Sequence, residues 1–304
     1  MSFLSVFSAP KPFTNPHIAT IQLNAIQSWQ QLGPEVEVIL VGAEAGIADA
    51  AERLNVKHLP DVRLNAQGTP LVSSIFELAR TFAGNNSPFL AYVNADILLL
   101  PDFVETTRQV AGQLQQFLLV GQRWDLDITT PLDFSTGWQA QLQETIRAGG
   151  RLHPLGGSDY FIFPRSCFTR IPDFAIGRAG WDNWMIYEAR RSGWRVVDAT
   201  QGIRLVHQSH DYSHLPDGKP HYRLPETFEN VRLAGGARTI LTLRDCDARC
   251  DEHGKVLAPA PTWQKFWREV EIFPLVRLHS YALAQLAYAL FHPVKAYREL
   301  RAWL

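Results

Sequence analysis

Along the first 124 positions, short continuous apolar runs alternate with helically spaced stripes. The run at 3–7 is cut off by Ser8-Ala9-Pro10-Lys11-Pro12 and predicts a first strand. Asn15 suits a helix N-cap and Pro16 the first helical position. Ile18, Ile21, Ala25, Trp29 and Leu32 then recur at helical spacing until Gly33-Pro34. A second strand is predicted at 35–42, a short helix at 47–54 and an extended stretch at 56–59. Thr69 and Pro70 open another helix, with Leu71, Ile75, Leu78 and Phe82 as its buried stripe. A buried strand at 89–93 then runs into Asn94-Ala95-Asp96, with apolar residues again at 97–100. Pro101-Asp102 starts a helix, and 117–121 is a further buried strand. This order predicts an α/β fold whose mostly parallel sheet is covered by helices, with 1–124 as a nucleotide-binding half.

The pattern loosens from 125 to 260, the expected second half of the same domain. Residues 125–148 are polar and partly helical, and a strand at 158–163 is entered through Gly156-Gly157. A helix at 181–191 ends at Gly193, and strands follow at 195–199 and 203–206. Residues 209–237, rich in His, Tyr, Pro and Gly, read as mostly loop. The segment 261–304 is expected as a separate helical appendage, broken at Pro274 and Pro293. Its apolar stretch 275–291 carries Arg277, His279 and Gln285 and falls short of the usual spanning length. Docking on the main domain is the expectation. Trp263, Phe266, Trp267 and Trp303 beside Lys265, Arg268, Lys295, Arg298 and Arg301 also fit peripheral contact with a membrane surface.

Composition narrows the function classes. The chain has 304 residues, 46% of them hydrophobic, enough for a sizeable core. With 29 Lys and Arg against 30 Asp and Glu, no basic field argues for nucleic acid. Three cysteines make no disulfide framework, and the start of the chain lacks the basic lead of a signal peptide, so a cytoplasmic protein is expected. Cys246, Cys250 and His253 fall one ligand short of a zinc site, and Asp245, Asp247, Asp251 and Glu252 around them suit a solvated loop. Neither a GxGxxG turn nor a Walker lysine motif follows strand one, so dinucleotide oxidoreductases and P-loop enzymes lack their marks.

Candidate chemistry gathers at four places. Asp96 stands at the end of a central strand, where open α/β sheets bind ligands. A carboxylate there can hold a hard divalent cation against a diphosphate, or simply turn the chain. A glycine turn follows at Leu155-Gly156-Gly157-Ser158-Asp159, then Gly180-Trp181-Asp182-Asn183-Trp184 opening a helix, where Asp182 also suits an N-cap. Last comes Leu205-Val206-His207 closing a strand.

In that order, from Phe3 to His210, the chain resembles the GT-A family of nucleotide-sugar glycosyltransferases. In that family the acidic loop reads Asp-any-Asp, and its last carboxylate binds Mn²⁺ or Mg²⁺ on the donor diphosphate. The resemblance assigns that role to Asp96, with Asn94 standing where the first Asp is expected. The family's C-terminal histidine completes the metal shell, which points to His207, with His210 as substitute. Its acidic residue at the later helix, a catalytic base in inverting members, corresponds to Asp182, although Trp181 replaces the usual Glu before it. Gly156, Gly157, Asp159, Trp181 and Asn183 are then expected around the acceptor and sugar, with Trp181 and Trp184 suited to stacking. Ser8, Ala9, Pro10, Lys11, Gly42, Glu44, Asn94 and Ala95 are expected around the donor. The loop 65–69 should lie over the ribose and phosphates, with Lys11 and Arg80 as cationic helpers.

The expected partners are a UDP- or GDP-type sugar donor and a hydroxyl acceptor, a glycan or a lipid-linked group. The expected reaction is metal-assisted sugar transfer, inverting or retaining. The alternative is a non-catalytic sugar- or nucleotide-binding scaffold on a degenerate GT-A fold. A nucleotidyltransferase would need a glycine- and arginine-rich loop after strand one, which Ser8-Ala9-Pro10-Lys11-Pro12 is not.

Overall fold

The computed structural model describes residues 2–84, 87–209 and 224–303. In chain order it begins β1 (Leu4–Ser8), α1 (Pro16–Gln30), β2 (Val36–Val41), α2 (Ile47–Leu54), β3 (Lys57–Leu59), α3 (Val72–Phe82) and β4 (Phe89–Val93). Next come β5 (Ile97–Leu99), α4 (Asp102–Ala111), β6 (Phe117–Val120), β7 (Trp124–Leu126), α5 (Trp138–Gly149), β8 (Arg151–Leu152) and β9 (Tyr160–Pro164). The remainder is α6 (Trp181–Arg191), β10 (Arg195–Asp198), β11 (Leu205–Gln208), α7 (Pro225–Leu233), β12 (Ala248–Cys250), β13 (Val256–Leu257), α8 (Trp263–Val276), α9 (Tyr281–Phe291) and α10 (Pro293–Trp303).

Most strands form one mixed sheet in the order β13-β12-β10-β6-β9-β4-β1-β2-β3. Its members run parallel except β9, antiparallel between β4 and β6, and β13 at one edge. Period-2 alternation feeds a core on each face. Leu4, Val6, Ala91 and Ile162 pack with Trp29 and Phe103 on one side, while Phe7, Tyr92, Phe161 and Phe163 pack with Phe76 and Trp181 on the other. A smaller sheet, β5-β11-β7-β8, closes over a third core of Leu98, Leu126, Val206 and the inner face of α5. The α/β class and the C-terminal helices are as the sequence predicts.

The acidic loop is clamped between the two sheets. Asn94 N–H donates to the Asp159 carbonyl (2.9 Å) ahead of β9, and Gln208 N–H in β11 donates to the Asp96 carbonyl (3.1 Å). On α1, Asn15 caps through its side chain, accepting from His17 and Ile18 N–H, and the Trp29 indole donates to the Ile97 carbonyl (2.8 Å).

Several expectations shift. Helix α3 starts at Val72 rather than Pro70, because β-bridges from Leu64 to Pro70 and from Leu71 to Ala175 hold the entry extended. Its buried face becomes Val72, Ile75, Phe76 and Ala79, leaving Phe82 exposed. Strand β11 runs through His207 instead of stopping at Val206. Part of the stretch expected as loop is the helix α7, whose buried residues are Thr227 and Asn230, a polar face that gives no apolar period. His210, the substitute ligand, lies outside the described residues.

The acidic stretch around Cys246 is not a solvated loop. Asp245 is buried, bonded to Thr242 N–H and Arg268, and β12 follows it. Cys246 and Cys250 are buried free thiols, and His253 is exposed. Pro274 sits inside α8, and the chain breaks instead at 277–280. Among the described residues no helix is long and apolar enough to cross a membrane.

Candidate active cleft

The C-terminal ends of β1 and β4, the start of α6 and β11 surround a cleft of about 590 Å³. Of the sequence-predicted residues, Ala9, Pro10, Lys11, Glu44, Asn94, Ala95, Asp96, Gly156, Gly157, Asp159, Trp181, Asp182, Asn183 and His207 line it. Others do not. Ser8 is fully buried at the end of β1, its hydroxyl without a partner among the described residues, and Gly42 follows β2 with φ of 127°. A Cβ at Gly42 would collide with the Glu44 carboxylate, so the glycine admits Glu44 to the cleft rather than touching a ligand itself. Arg80 donates to the Cys167 and Phe168 carbonyls (2.8 and 3.0 Å), away from the cleft. Asn65, expected over the ribose, instead bonds Glu226 at the start of α7 (2.7 Å).

The metal-side residues meet across the two sheets. His207 Nε2 lies 3.8 Å from Asp96 Oδ2, and His207 Nδ1 lies 3.1 Å from Asp125 Oδ1. Asp125 also takes the Arg123 Nε–H (2.9 Å) and faces His153 Nδ1 at 2.9 Å. Burial works against its charge, yet the hydrogen bonds from His153 and Arg123 keep its carboxyl below the ordinary value. An ionised carboxylate only accepts, so Nδ1 of each histidine donates to Asp125, and His207 presents Nε2 toward Asp96.

The chain continues from Arg123. Its Nη1 bonds both Asp159 carboxylate oxygens at 2.6 Å, and Asp159 accepts from the Asn94 amide at 2.9 Å. Asp159, expected near the sugar, lines the cleft and is held in an ion pair. Asn94 has a local reason to be an amide: a carboxylate there would face Asp159 with like charge. Arg123, Asp125 and His153 escaped the sequence reading because β7 is three residues long in a polar stretch. The alternation of Trp124 and Leu126 around Asp125, just after a buried strand, was the available signal.

Across the cleft Asp182 is the second residue of α6, and the N-cap is Gly180, with φ of 109°. Gly180 N–H donates to Asp182 Oδ1 (3.2 Å). Burial raises the Asp182 carboxyl to about 6, despite the backbone bonds from Asn183 and Gly180 that favour its charged form. Trp181 is packed edge-on against Tyr92 (5.1 Å between centroids) and beside Phe161, so it is a core aromatic with only 5% exposure, too little for a stacking platform. Trp184 packs on Phe174, outside the cleft lining. The Asn183 amide donates to the Leu241 carbonyl (2.7 Å).

Lys11 is tied by its backbone to the Gln22 side chain, N–H to Oε1 at 2.7 Å and carbonyl to Nε2 at 3.0 Å. Burial lowers its ammonium below the ordinary lysine value, with the Asp96 charge opposing. Gly156 and Gly157 have ordinary φ. A Cβ at Gly156 would meet nothing and one at Gly157 only His153 at 3.9 Å, so both leave open floor in the cleft.

No protein-family model matches the chain, and no curated protein does. Among solved structures it is similar to glucosyl-3-phosphoglycerate synthase from Mycobacterium tuberculosis, at 17% identity and a TM-score of 0.46 over 78% of this chain and 82% of that one. The same enzyme in complex with Mn²⁺, UDP and phosphoglyceric acid gives 16% and 0.45 over 78% and 79%. A mannosyltransferase from Pyrobaculum calidifontis in complex with GDP-Man and Mn²⁺ gives 14% and 0.41, over 69% of this chain and 58% of that one.

Proposed function

We propose that the chain is a GT-A-type glycosyltransferase that moves a sugar from a UDP- or GDP-type donor to a hydroxyl acceptor. Residues 1–260 are the transferase domain and 261–304 an appended helical segment. The observation that carries this reading is the pairing of Asp96 and His207 from opposite sheets, with Asp125 behind the imidazole. A histidine whose far nitrogen is held by a carboxylate is oriented for metal ligation. Among the described residues no cluster of three or more His, Cys, Asp or Glu could hold a metal by itself. Two protein ligands fit a Mg²⁺ or Mn²⁺ ion that takes its remaining oxygens from a diphosphate and water. When bound, such an ion supplies positive charge to the departing diphosphate.

The remaining roles fall to the chain's own groups. Lys11 adds positive charge on the Asp96 side, favourable to phosphate oxygens. Glu44, whose buried Oε2 has no partner among the described residues, is placed to accept a donor N–H or hydroxyl. In an inverting transfer Asp182 takes the proton of the acceptor hydroxyl. A carboxyl raised to about 6 is ionised at neutral pH yet basic enough for the task. In a retaining transfer the same carboxylate positions the acceptor.

Asn94 supports a second reading, a non-catalytic donor-binding protein, because its amide is engaged with Asp159 and brings no charge. A panel of UDP- and GDP-sugars with Mn²⁺ separates the two. Catalysis predicts release of UDP or GDP from one donor, lost in Asp96→Ala. Tight donor binding without release identifies the scaffold.

A further inference from the structure

Thirteen of the seventeen exposed large apolar side chains among the described residues lie between Trp263 and Tyr297. Helix α8 carries two apolar faces. Ile272, Leu275 and Val276 face the main core, while Trp263, Phe266, Trp267, Val270 and Phe273 form an outward stripe at helical spacing. The stripe continues across the turn. Trp267 touches Phe291 (centroids 5.9 Å apart), and α9 shows Leu286 and Leu290 at 57% and 72% exposure. On α10, Val294, Tyr297, Arg298 and Arg301 are exposed at positions that share one helical face.

Charge selects what covers this face. All three acidic residues of the segment are held in ion pairs: Glu269 with Arg190 and Lys265, Glu271 with Arg268 and His292, Glu299 with Arg238. The surface therefore presents apolar side chains with exposed Arg277, Arg298 and Arg301, and its exposed carboxylate, Glu299, is already paired with Arg238. The same helices cover a cavity of about 1020 Å³ whose lining holds Arg244, Arg249 and Lys295 beside Asp198 and Glu271. A two-fold contact with a second copy would set this cationic surface against itself. Apolar and aromatic side chains interleaved with exposed cations match the boundary of acyl chains and anionic headgroups.

We infer that the outer face of α8, α9 and α10 is a docking surface for an anionic membrane, on which the protein rests peripherally. The inference is independent of the reaction in the cleft. The test is flotation of the full chain with phosphatidylcholine vesicles, with and without phosphatidylglycerol, beside light scattering for oligomeric state. The double variant Leu286→Glu/Leu290→Glu and the control Leu64→Glu, an exposed leucine elsewhere, are run alongside. Wild type and control are expected to float with the anionic vesicles, and the double variant on the order of tenfold less, with an unchanged melting temperature. Absence of wild-type flotation, or equal flotation of the double variant, overturns the inference. So does a wild-type dimer that the variant dissolves without any vesicle binding, since the face is then a protein interface.

Discussion

The cleft and the C-terminal helices are held by opposite kinds of interaction. In the cleft, Asn94, Asp159, Arg123, Asp125, His153 and His207 form a chain of hydrogen-bonded charges drawn from both sheets. Each member fixes the next one's direction, and little of the chain is exposed. The C-terminal segment docks through four buried aliphatics, Ile272, Leu275, Val276 and Ala284, and a few ion pairs, and leaves its larger apolar face to solvent. Directional bonds define a reaction geometry to a fraction of an ångström. Non-directional burial suits a surface that must meet many lipids in many poses. Substitutions in the first region should therefore change turnover, and those in the second should change stability or location.

The largest expected effect is from Asp96→Ala. Removing the carboxylate from the diphosphate side should lower kcat/KM on the order of 10³-fold, checked by nucleotide release, because metal charge stabilisation is worth several kcal/mol. Asp182→Asn sharpens the comparison by moving activity and stability in opposite directions. Turnover should fall about 10²–10⁴-fold. Stability at pH 7 should rise by about 1–3 kcal/mol, because a carboxyl raised from 3.8 to about 6 destabilises the fold where it is charged. The folded state binds this proton more tightly than the unfolded chain, so the gain is full above about pH 6 and vanishes below about pH 4. Melting curves of both proteins across that window check the sign. In the wild type, kcat/KM should rise with pH through the same value near 6.

Glu269→Ala tests the other region. It strips Arg190, only 3% exposed, of a paired carboxylate (2.7 Å), and should cost about 2–4 kcal/mol in chemical unfolding. Turnover per folded molecule should stay near wild type. A loss of turnover equal to that of Asp182→Asn would show that the two regions are not separate. Among the cleft substitutions Asp125→Asn should have the smallest catalytic effect, about 10–100-fold in metal affinity or rate, because it acts through the orientation of His207. Titrating Mn²⁺ into the variant checks this: saturating ion should recover part of the lost rate.

The parts of this account legible in the sequence are those where one local signal dominates. Asn15 and Pro16 mark α1 by capping chemistry. The unbroken apolar runs of β4 and β6, and the run of β1 interrupted at Ser5, mark strands buried on both faces, and the placing of Asp96 followed from β4. What stayed hidden depends on contacts between distant segments. Arg123 means nothing until β7 sets it between Asp125 and Asp159, and His153 lies 28 residues from the carboxylate it bonds. Trp181 looked available for stacking because its neighbours in space, Phe76, Tyr92 and Phe161, come from three other elements. Helix α7 was missed for the opposite reason, since polar Thr227 and Asn230 fill its inner face. There Asn230 bonds both the N–H and the carbonyl of Ala175.

The most direct test of the central claim is the melting temperature of wild type and Asp96→Ala with UDP, GDP and their sugars, each with and without Mn²⁺. A ligand that binds only the native state must raise it. The account predicts a rise with one nucleotide that requires Mn²⁺ and disappears in Asp96→Ala. A rise that is the same without the ion and in the variant would contradict it, because Asp96 and His207 would then hold no cation against a diphosphate.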